Sequence, residues 1–277
     1  MKPRSSRDIL KENVNRKGSD PMADLTIELR SQCLCRATSF KMVIPTDMED
    51  PRPGQEMRTV FLLHGYTGKG DNWIPEDLIE KYHFAVVCPT GENGFWLNGL
   101  STGHAWQSFV GEELVSFVRR TFGLAMHRES TYVCGLSMGG FGALHTALAY
   151  PEVFGKAIAL SSALIHKEVA GMKPGQSNPV ANYEYYRECF GEPEKLMASE
   201  NAPETLVKKI LASQGALPMP EIYMACGTED FLLQPNREMH DFLESQSVAH
   251  TYLEWPGNHD MKFWHEGLRK FIPEVMA

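Results

Sequence analysis

Residues 132–140 read Tyr-Val-Cys-Gly-Leu-Ser-Met-Gly-Gly, and no other stretch of the chain restricts its fold as strongly. A short apolar run feeds a G-x-S-x-G turn. The turn opens a helix of small residues, expected over Met138–Ala149, that stops at Tyr150-Pro151 because the residue before proline is pushed out of the helical region. A serine on so sharp a strand-to-helix reversal needs glycine on both sides, since side chains there would collide. Gly139, Gly140, Gly142, Ala143 and Ala147 let the helix lie close against a sheet. The same pattern recurs at Gly99-Leu100-Ser101-Thr102-Gly103, but behind Phe95-Trp96-Leu97-Asn98 in a glycine-rich loop with no strand directly ahead. Context therefore selects Ser137 as a nucleophile and leaves Ser101 as a loop residue bordering a pocket.

Around this turn the chain alternates. Arg58–Leu63 is a continuous apolar run ending at His64-Gly65, as a buried parallel strand should be, and Phe84–Cys88 is another, stopped by Pro89. Residues 108–122 repeat apolar positions near every 3.6 residues with charges opposite, which predicts a helix packed on one face. Ala157–Leu160, Ile222–Cys226 and Tyr252–Leu253 continue the strands, and Pro235–Gln246 and Met261–Phe271 read as helices. Thr26–Arg30 and Ser39–Ile44 begin the sheet. Strand and helix in turn imply an α/β domain with a doubly wound, mostly parallel sheet over residues 22–277. Residues 162–219 break the rhythm with short helical patterns carrying Tyr183, Tyr185 and Tyr186; so long a connection usually has its own structure and often covers a site.

Composition removes other classes. The net charge of −8 lacks the basic footprint of a nucleic-acid binder, and no run of about 18 uncharged apolar residues is present to span a membrane. Six cysteines are scattered over 277 residues, with Cys88, Cys134 and Cys226 inside apolar runs, where thiols act as small buried hydrophobes. Together with Cys33, Cys35 and Cys189 they point to free thiols and a reducing, cytoplasmic setting; Cys33-Leu34-Cys35 is not a C-x-x-C redox or zinc motif. No H-E-x-x-H or phosphate-binding glycine loop is found, so neither metal nor cofactor is expected. Residues 1–21 are polar, without the apolar segment of a secretory signal, and are expected to be a disordered leader or an appended tail.

A serine hydroxyl attacks only if a base takes its proton and a third group orients that base. On sheets of this kind the order along the chain is serine, acid, histidine. The acid should follow a late strand, and Gly227-Thr228-Glu229-Asp230 after Ile222–Cys226 offers two carboxylates. The histidine should follow the last strand, and of ten histidines only His259 lies in such a turn; His265 falls in the next helix and His145 in the helix after the serine. Charge developing on a carbonyl oxygen requires aligned N–H donors, which the loop after the first parallel strand and the residue after the nucleophile supply. These are the backbone N–H groups of Tyr66 and Met138, with His64 holding the loop and Asp71 and Trp73 bracing it.

Four blocks in this order, His64-Gly65-Tyr66-Thr67-Gly68 with Trp73, Gly135-Leu136-Ser137-Met138-Gly139-Gly140, Cys226-Gly227-Thr228-Glu229-Asp230-Phe231-Leu232, and His259-Asp260 with Trp264, resemble the esterase D-like family. The nearest branch is the bacterial tributyrin and acetyl esterases, which are similar to feruloyl esterases and S-formylglutathione hydrolase. The likeness runs from about Ala23 to the C-terminus. It implies an α/β-hydrolase fold with an inserted helical, cap-like segment, no cofactor, and hydrolysis of short-chain acyl (acetyl to butyryl) or aromatic-acyl esters. It selects Asp230 over Glu229, giving Ser137, Asp230 and His259. Leu136 stands where S-formylglutathione hydrolases more often have histidine, which weakens a thioesterase reading; that reading and an acyltransferase using the same triad are the alternatives. Phe95, Trp96 and Phe231 are expected to line an apolar substrate site. The partner is a small ester, with no nucleic acid and no membrane, and a homo-oligomer is compatible with the sequence.

Overall fold

The computed structural model describes residues 22–46 and 54–277; the leader expected over 1–21 lies outside the described residues. Its frame is one eight-stranded sheet in the order β1-β2-β4-β3-β5-β6-β7-β8. The strands are β1 (Met22–Ser31), β2 (Arg36–Pro45), β3 (Arg58–Leu63), β4 (Phe84–Pro89), β5 (Thr131–Leu136), β6 (Lys156–Leu160), β7 (Glu221–Gly227) and β8 (His250–Trp255). From β4 across to β8 every pair is parallel, while β1 and β2 form an antiparallel hairpin whose inner strand runs antiparallel to β4. The expected sheet is therefore present, with the first two strands longer than Thr26–Arg30 and Ser39–Ile44.

Side chains alternate between the two faces, as a period of two requires. On β3, Phe61 and Leu63 join one core and Val60 and Leu62 the other. The first core packs under a continuous helical stretch made of α2 (Trp106–Ser108), a π-helical turn (Phe109–Leu114) and α3 (Val115–Phe122), and under α4 (Met138–Ala149). The segment expected as a helix from 108 thus starts two residues earlier and widens to π geometry. The second core is closed by α1 (Glu76–Tyr82) and α10 (Met261–Val275). The short α1 has no counterpart in the sequence reading. Almost all of α4 is buried, which is why it is built from small residues and carries no polar face.

Between β6 and β7 lie α5 (His166–Gly171), α6 (Tyr183–Phe190), α7 (Pro193–Leu196) and α8 (Pro203–Ala212), the helical insertion anticipated over 162–219. The last crossover helix is α9 (Leu233–Ser245). The chain passes from β3 to β4 on one side and then crosses back over β3 to β5 on the other. A sheet of this kind binds ligands at such a reversal, outside the carboxyl ends of its strands.

Candidate active site

At that edge the turn after β5 holds Ser137 at φ +55°, in the left-handed region. Its neighbours leave no alternative to glycine. A Cβ on Gly135 would stand 2.0 Å from the Gly139 carbonyl oxygen, and one on Gly139 would stand 2.0 Å from that of Leu63. The turn is pinned from both sides: Ser137 N–H donates to Leu160 O (2.9 Å), and its own carbonyl accepts from Ala163 N–H (2.8 Å) and Phe141 N–H (3.1 Å). Strain at a functional turn persists only where its surroundings over-determine it.

Three distant segments converge here. His259 Nε2 lies 2.9 Å from Ser137 Oγ, and His259 Nδ1 lies 2.8 Å from Asp230 Oδ2. An ionised carboxylate can only accept, so Nδ1 carries the hydrogen and the Nε2 lone pair faces the serine hydroxyl. The Asp230 side chain is fully buried, and its other oxygen accepts from Leu232 N–H at 2.8 Å. Burial alone would raise its pKa. The hydrogen bonds from His259 and from Leu232 N–H outweigh burial and hold the carboxyl below its ordinary range. Phe231 and Trp264 flank the imidazole, with ring centroids 4.7 and 5.0 Å away.

Glu229, the competing carboxylate, is exposed, but it also ties the two loops together: it accepts from Gly257 N–H and the Thr228 hydroxyl, while its own N–H donates to Gly257 O (3.0 Å). Asp260, directly after His259, caps α10 by accepting from Phe263 N–H at 2.9 Å. Sequence reasoning missed Asn236. Fully buried on α9, it donates to the carbonyls of Ser162 (2.9 Å) and Leu232 (2.8 Å) and accepts from Ser162 N–H (3.2 Å), fastening the Asp230 loop to the turn after β6. A polar residue on the inner face of an otherwise amphipathic helix was the available signal.

The loop after β3 presents Tyr66 beside Ser137. Gly91 N–H donates to His64 Nε2 (2.9 Å), so the hydrogen sits on Nδ1, which faces Gly65 O at 2.7 Å. Both ring nitrogens of His64 are engaged, and burial lowers its pKa, keeping it neutral. It holds the loop, as anticipated. Thr67 N–H is taken by Asn93 Oδ1 (2.8 Å), and the Asn93 carbonyl accepts from the Tyr185 hydroxyl of α6. Met138 N–H is the first of α4, without an intrahelical acceptor by its position. Asp71 pairs with Lys41 and Lys69, and the Trp73 carbonyl faces His265 Nε2 at 3.0 Å.

Two clefts flank the serine. One, of about 560 Å³, is lined by Tyr66, Phe95, Met138, Ala163, Ile165, Pro179, Val180, Phe231, Leu232 and Pro235, with Glu168, Asn178 and Tyr186 as its polar members. The other, more open and about 410 Å³, runs along His64–Lys69, Trp73, Leu136, Met261 and Trp264. Phe95 and Phe231 are among the residues lining the larger cleft. Trp96 is not. With φ +58° its indole turns into the core, donating to His64 O (3.2 Å) and filling the space where Gly142 lacks a Cβ. It supports the loop and is out of a substrate's reach. Ser101 is also remote from the large cleft: its N–H and hydroxyl both donate to Glu188 at 2.8 Å, anchoring α6.

Residues 31–274 match the model of the esterase family, described as "Putative esterase". The chain belongs to the esterase family. It is 37% identical to an acetyl esterase of Caldicellulosiruptor saccharolyticus over 254 residues, 88% of this chain and 95% of that relative. The fold of this esterase is shared by a fluorophosphonate-binding serine hydrolase of Staphylococcus aureus (TM-score 0.80, 22% identity, 93% and 99% of the two chains). It is also shared by an S-formylglutathione hydrolase from the same organism (0.77, 22%, 92% and 99%) and a ferulic acid esterase (0.72, 18%, 92% and 97%). Hydrolysis of esters is therefore its reaction class.

Proposed function

We propose that this esterase removes short-chain acyl or aromatic-acyl groups through an acyl-enzyme on Ser137. The observation that carries the reading is the unbroken chain of hydrogen bonds from Ser137 Oγ through His259 to Asp230, at 2.9 and 2.8 Å. His259 Nε2 takes the hydroxyl proton as Oγ bonds to the ester carbonyl carbon. The tetrahedral oxyanion is held by the N–H groups of Tyr66 and Met138, each such donor contributing about 3 kcal/mol to lowering the barrier. The intermediate collapses, the C–O bond to the alcohol breaks, and the imidazolium returns its proton to the departing oxygen. Water then repeats the sequence, releasing the acid and restoring Ser137. Asp230 keeps the imidazole in the right tautomer and steadies its charge without itself being protonated.

The acyl group is assigned to the larger, mostly apolar cleft, which has room for a butyryl chain or one substituted ring, and the alcohol to the open one. Residues 22–277 act as one domain in this reading. Among the described residues no helix is long and apolar enough to cross a membrane; with four of the six thiols buried, a cytoplasmic site of action is proposed. The deciding experiment is a panel of nitrophenyl esters of rising acyl length beside methyl ferulate, acetylated xylan and S-formylglutathione. Highest kcat/KM on acetyl-to-butyryl or feruloyl esters supports the proposal; a preference for the thioester by tenfold or more, roughly 1.4 kcal/mol in the barrier, refutes it.

A further inference from the structure

Away from the two clefts, α9 and the edge strand β8 bring three metal-binding side chains together. His240 and Glu244 are four residues apart on α9 and so share a face, and His250 opens β8 across from them. One ligand atom from each lies within 4.8 Å of the others, and His240 Nδ1 is 2.8 Å from His250 Nε2. The donor set is half-buried on its imidazole side and open to solvent at Glu244.

The orientation of His250 is the informative detail. Its Nδ1 lies 2.8 Å from the Val248 carbonyl oxygen, which can only accept. Nδ1 therefore carries the hydrogen, and the Nε2 lone pair is aimed at His240 and Glu244. A ring held through one nitrogen by a backbone carbonyl, with the other nitrogen bare, is how a metal-ligating histidine is normally oriented. His240 is steadied in turn by the Tyr252 ring, 4.7 Å between centroids. Arg237, which shares a shallow surface hollow with His240, is bound by both forks to Glu254, at 2.8 and 2.7 Å.

We propose that His240, Glu244 and His250 bind one divalent transition-metal ion of the zinc type, clamping α9 onto β8. Two imidazoles and a carboxylate suit zinc, cobalt or nickel and are poor ligands for magnesium or calcium, which prefer all-oxygen sites. Nitrogens at about 2.0–2.1 Å from a tetrahedral ion stand about 3.4 Å apart, so the two rings separate slightly from their hydrogen-bonded distance. No proton leaves: His240 gives up its hydrogen at Nδ1 and carries one at Nε2 instead. Water takes the fourth position on the exposed side. Because α9 follows the Asp230 loop and β8 leads into the His259 loop, the ion fastens the outer ends of the two elements that carry the acid and the base. Its effect falls on stability, and the site is independent of which ester is cleaved.

The test titrates the metal-stripped full chain with Co2+, following visible absorption, and with Zn2+, following the melting temperature. One equivalent of Co2+ should give the bands of a four-coordinate ion, Zn2+ should displace it, and the melting temperature should rise and return on chelation. Losing an outer partner of a metal site costs about 10- to 100-fold in affinity, and losing a ligand costs no less. His240→Gln and His250→Gln should therefore each weaken Co2+ binding at least about 100-fold and Glu244→Gln about tenfold, while His127→Gln, exposed elsewhere, leaves it unchanged. Unaltered ester turnover of the metal-free variants shows that they fold. Binding that survives both His→Gln changes, or an unaltered chain that leaves the spectrum of aqueous Co2+ and its own melting temperature unmoved, overturns the proposal.

Discussion

The rim formed by the loops after β3, β5, β7 and β8 and the insertion of α5 to α8 meet across the same serine, but they are made differently. The rim is held by backbone. Ser137, Asp230, the His64 loop and the His259 loop are each fixed by two or more hydrogen bonds to main-chain groups, and glycine is required where the turn touches β3. The insertion has backbone turns of its own, and side chains tie them together: Asn178 and Tyr186 join at 3.1 Å, Asn178 reaches Glu168 at 3.1 Å, and Glu188 fastens the Ser101 loop. A backbone-fixed rim tolerates little change and performs one kind of chemistry. A wall of packed side chains can be recut, which is what setting the acyl preference requires.

Substitutions separate the two regions, and the largest effect should come from the centre of the rim. Ser137→Ala removes the proposed nucleophile, and kcat should fall on the order of 10⁶-fold, with an unchanged melting temperature showing that the fold survives. Near-normal turnover would end the comparison, since the rim would then carry no chemistry.

Asp230→Asn comes next. It keeps the shape but favours the wrong imidazole tautomer, so kcat should fall about 10⁴-fold. It also has a sign in pH. Burial, which alone would raise the Asp230 pKa, is outweighed by the hydrogen bonds from His259 and Leu232, so the folded value lies below the unfolded one. The stability this contributes is complete above the ordinary carboxylate range and is lost as pH falls through the lower folded value. Acid unfolding followed by circular dichroism should show a shallower pH dependence in Asp230→Asn than in the unaltered protein.

How much of each region is legible in the sequence follows the same division. Ser137, Asp230, His259 and the turn at Tyr66 were readable because backbone geometry demands glycine, small residues and a fixed strand-loop order, and these leave local marks. Asp230 and Glu229 differ by burial, which local pattern does not carry, so only the family likeness separated them. Trp96 was misread because an aromatic before a glycine-rich loop looks the same whether it faces a cleft or, with a left-handed backbone, turns beneath Gly142. Asn236 acts through the backbone of Ser162, 74 residues away, a pairing that only the fold creates. Within 162–219 the tyrosines were visible, but which of them would face substrate depends on how α5 and α6 pack.

A smaller effect is expected where the insertion meets α4. His145 is fully buried, and its Nε2 lies 2.8 Å from the Glu200 carbonyl oxygen. Burial lowers its pKa from 6.5 to about 4. The unfolded chain therefore takes up a proton below about pH 6.5 that the folded chain refuses until about pH 4, so stability falls with acid across that window, on the order of 3 kcal/mol. His145→Gln, which can still donate to Glu200, should lose this dependence. Urea unfolding at the two ends of the window measures it, and an identical slope in both proteins would mean that the insertion opens before His145 is protonated.

The smallest effect belongs to a ring that the β7 loop of the rim lends to the cleft. Phe231 is 75% exposed, yet it lies against His259 and lines the larger cleft. Its exposed ring contributes little to folding, so Phe231→Ala should leave the melting temperature within about 1–2 °C, an estimate from a surface change of about 0.5 kcal/mol. A substrate ring packed on Phe231 would bury part of it, and an aromatic pair adds about 0.5–1.5 kcal/mol beyond that burial. KM for methyl ferulate should rise several-fold while KM for an acetyl ester, too short to reach the ring, barely moves. If kcat fell equally for both esters, Phe231 would be acting on the His259 imidazole and not as a surface for the substrate. Equal rises in KM would place both acyl groups in the same part of the cleft, and the division between a fixed rim and an adjustable wall would have to be redrawn closer to Ile165 and Val180.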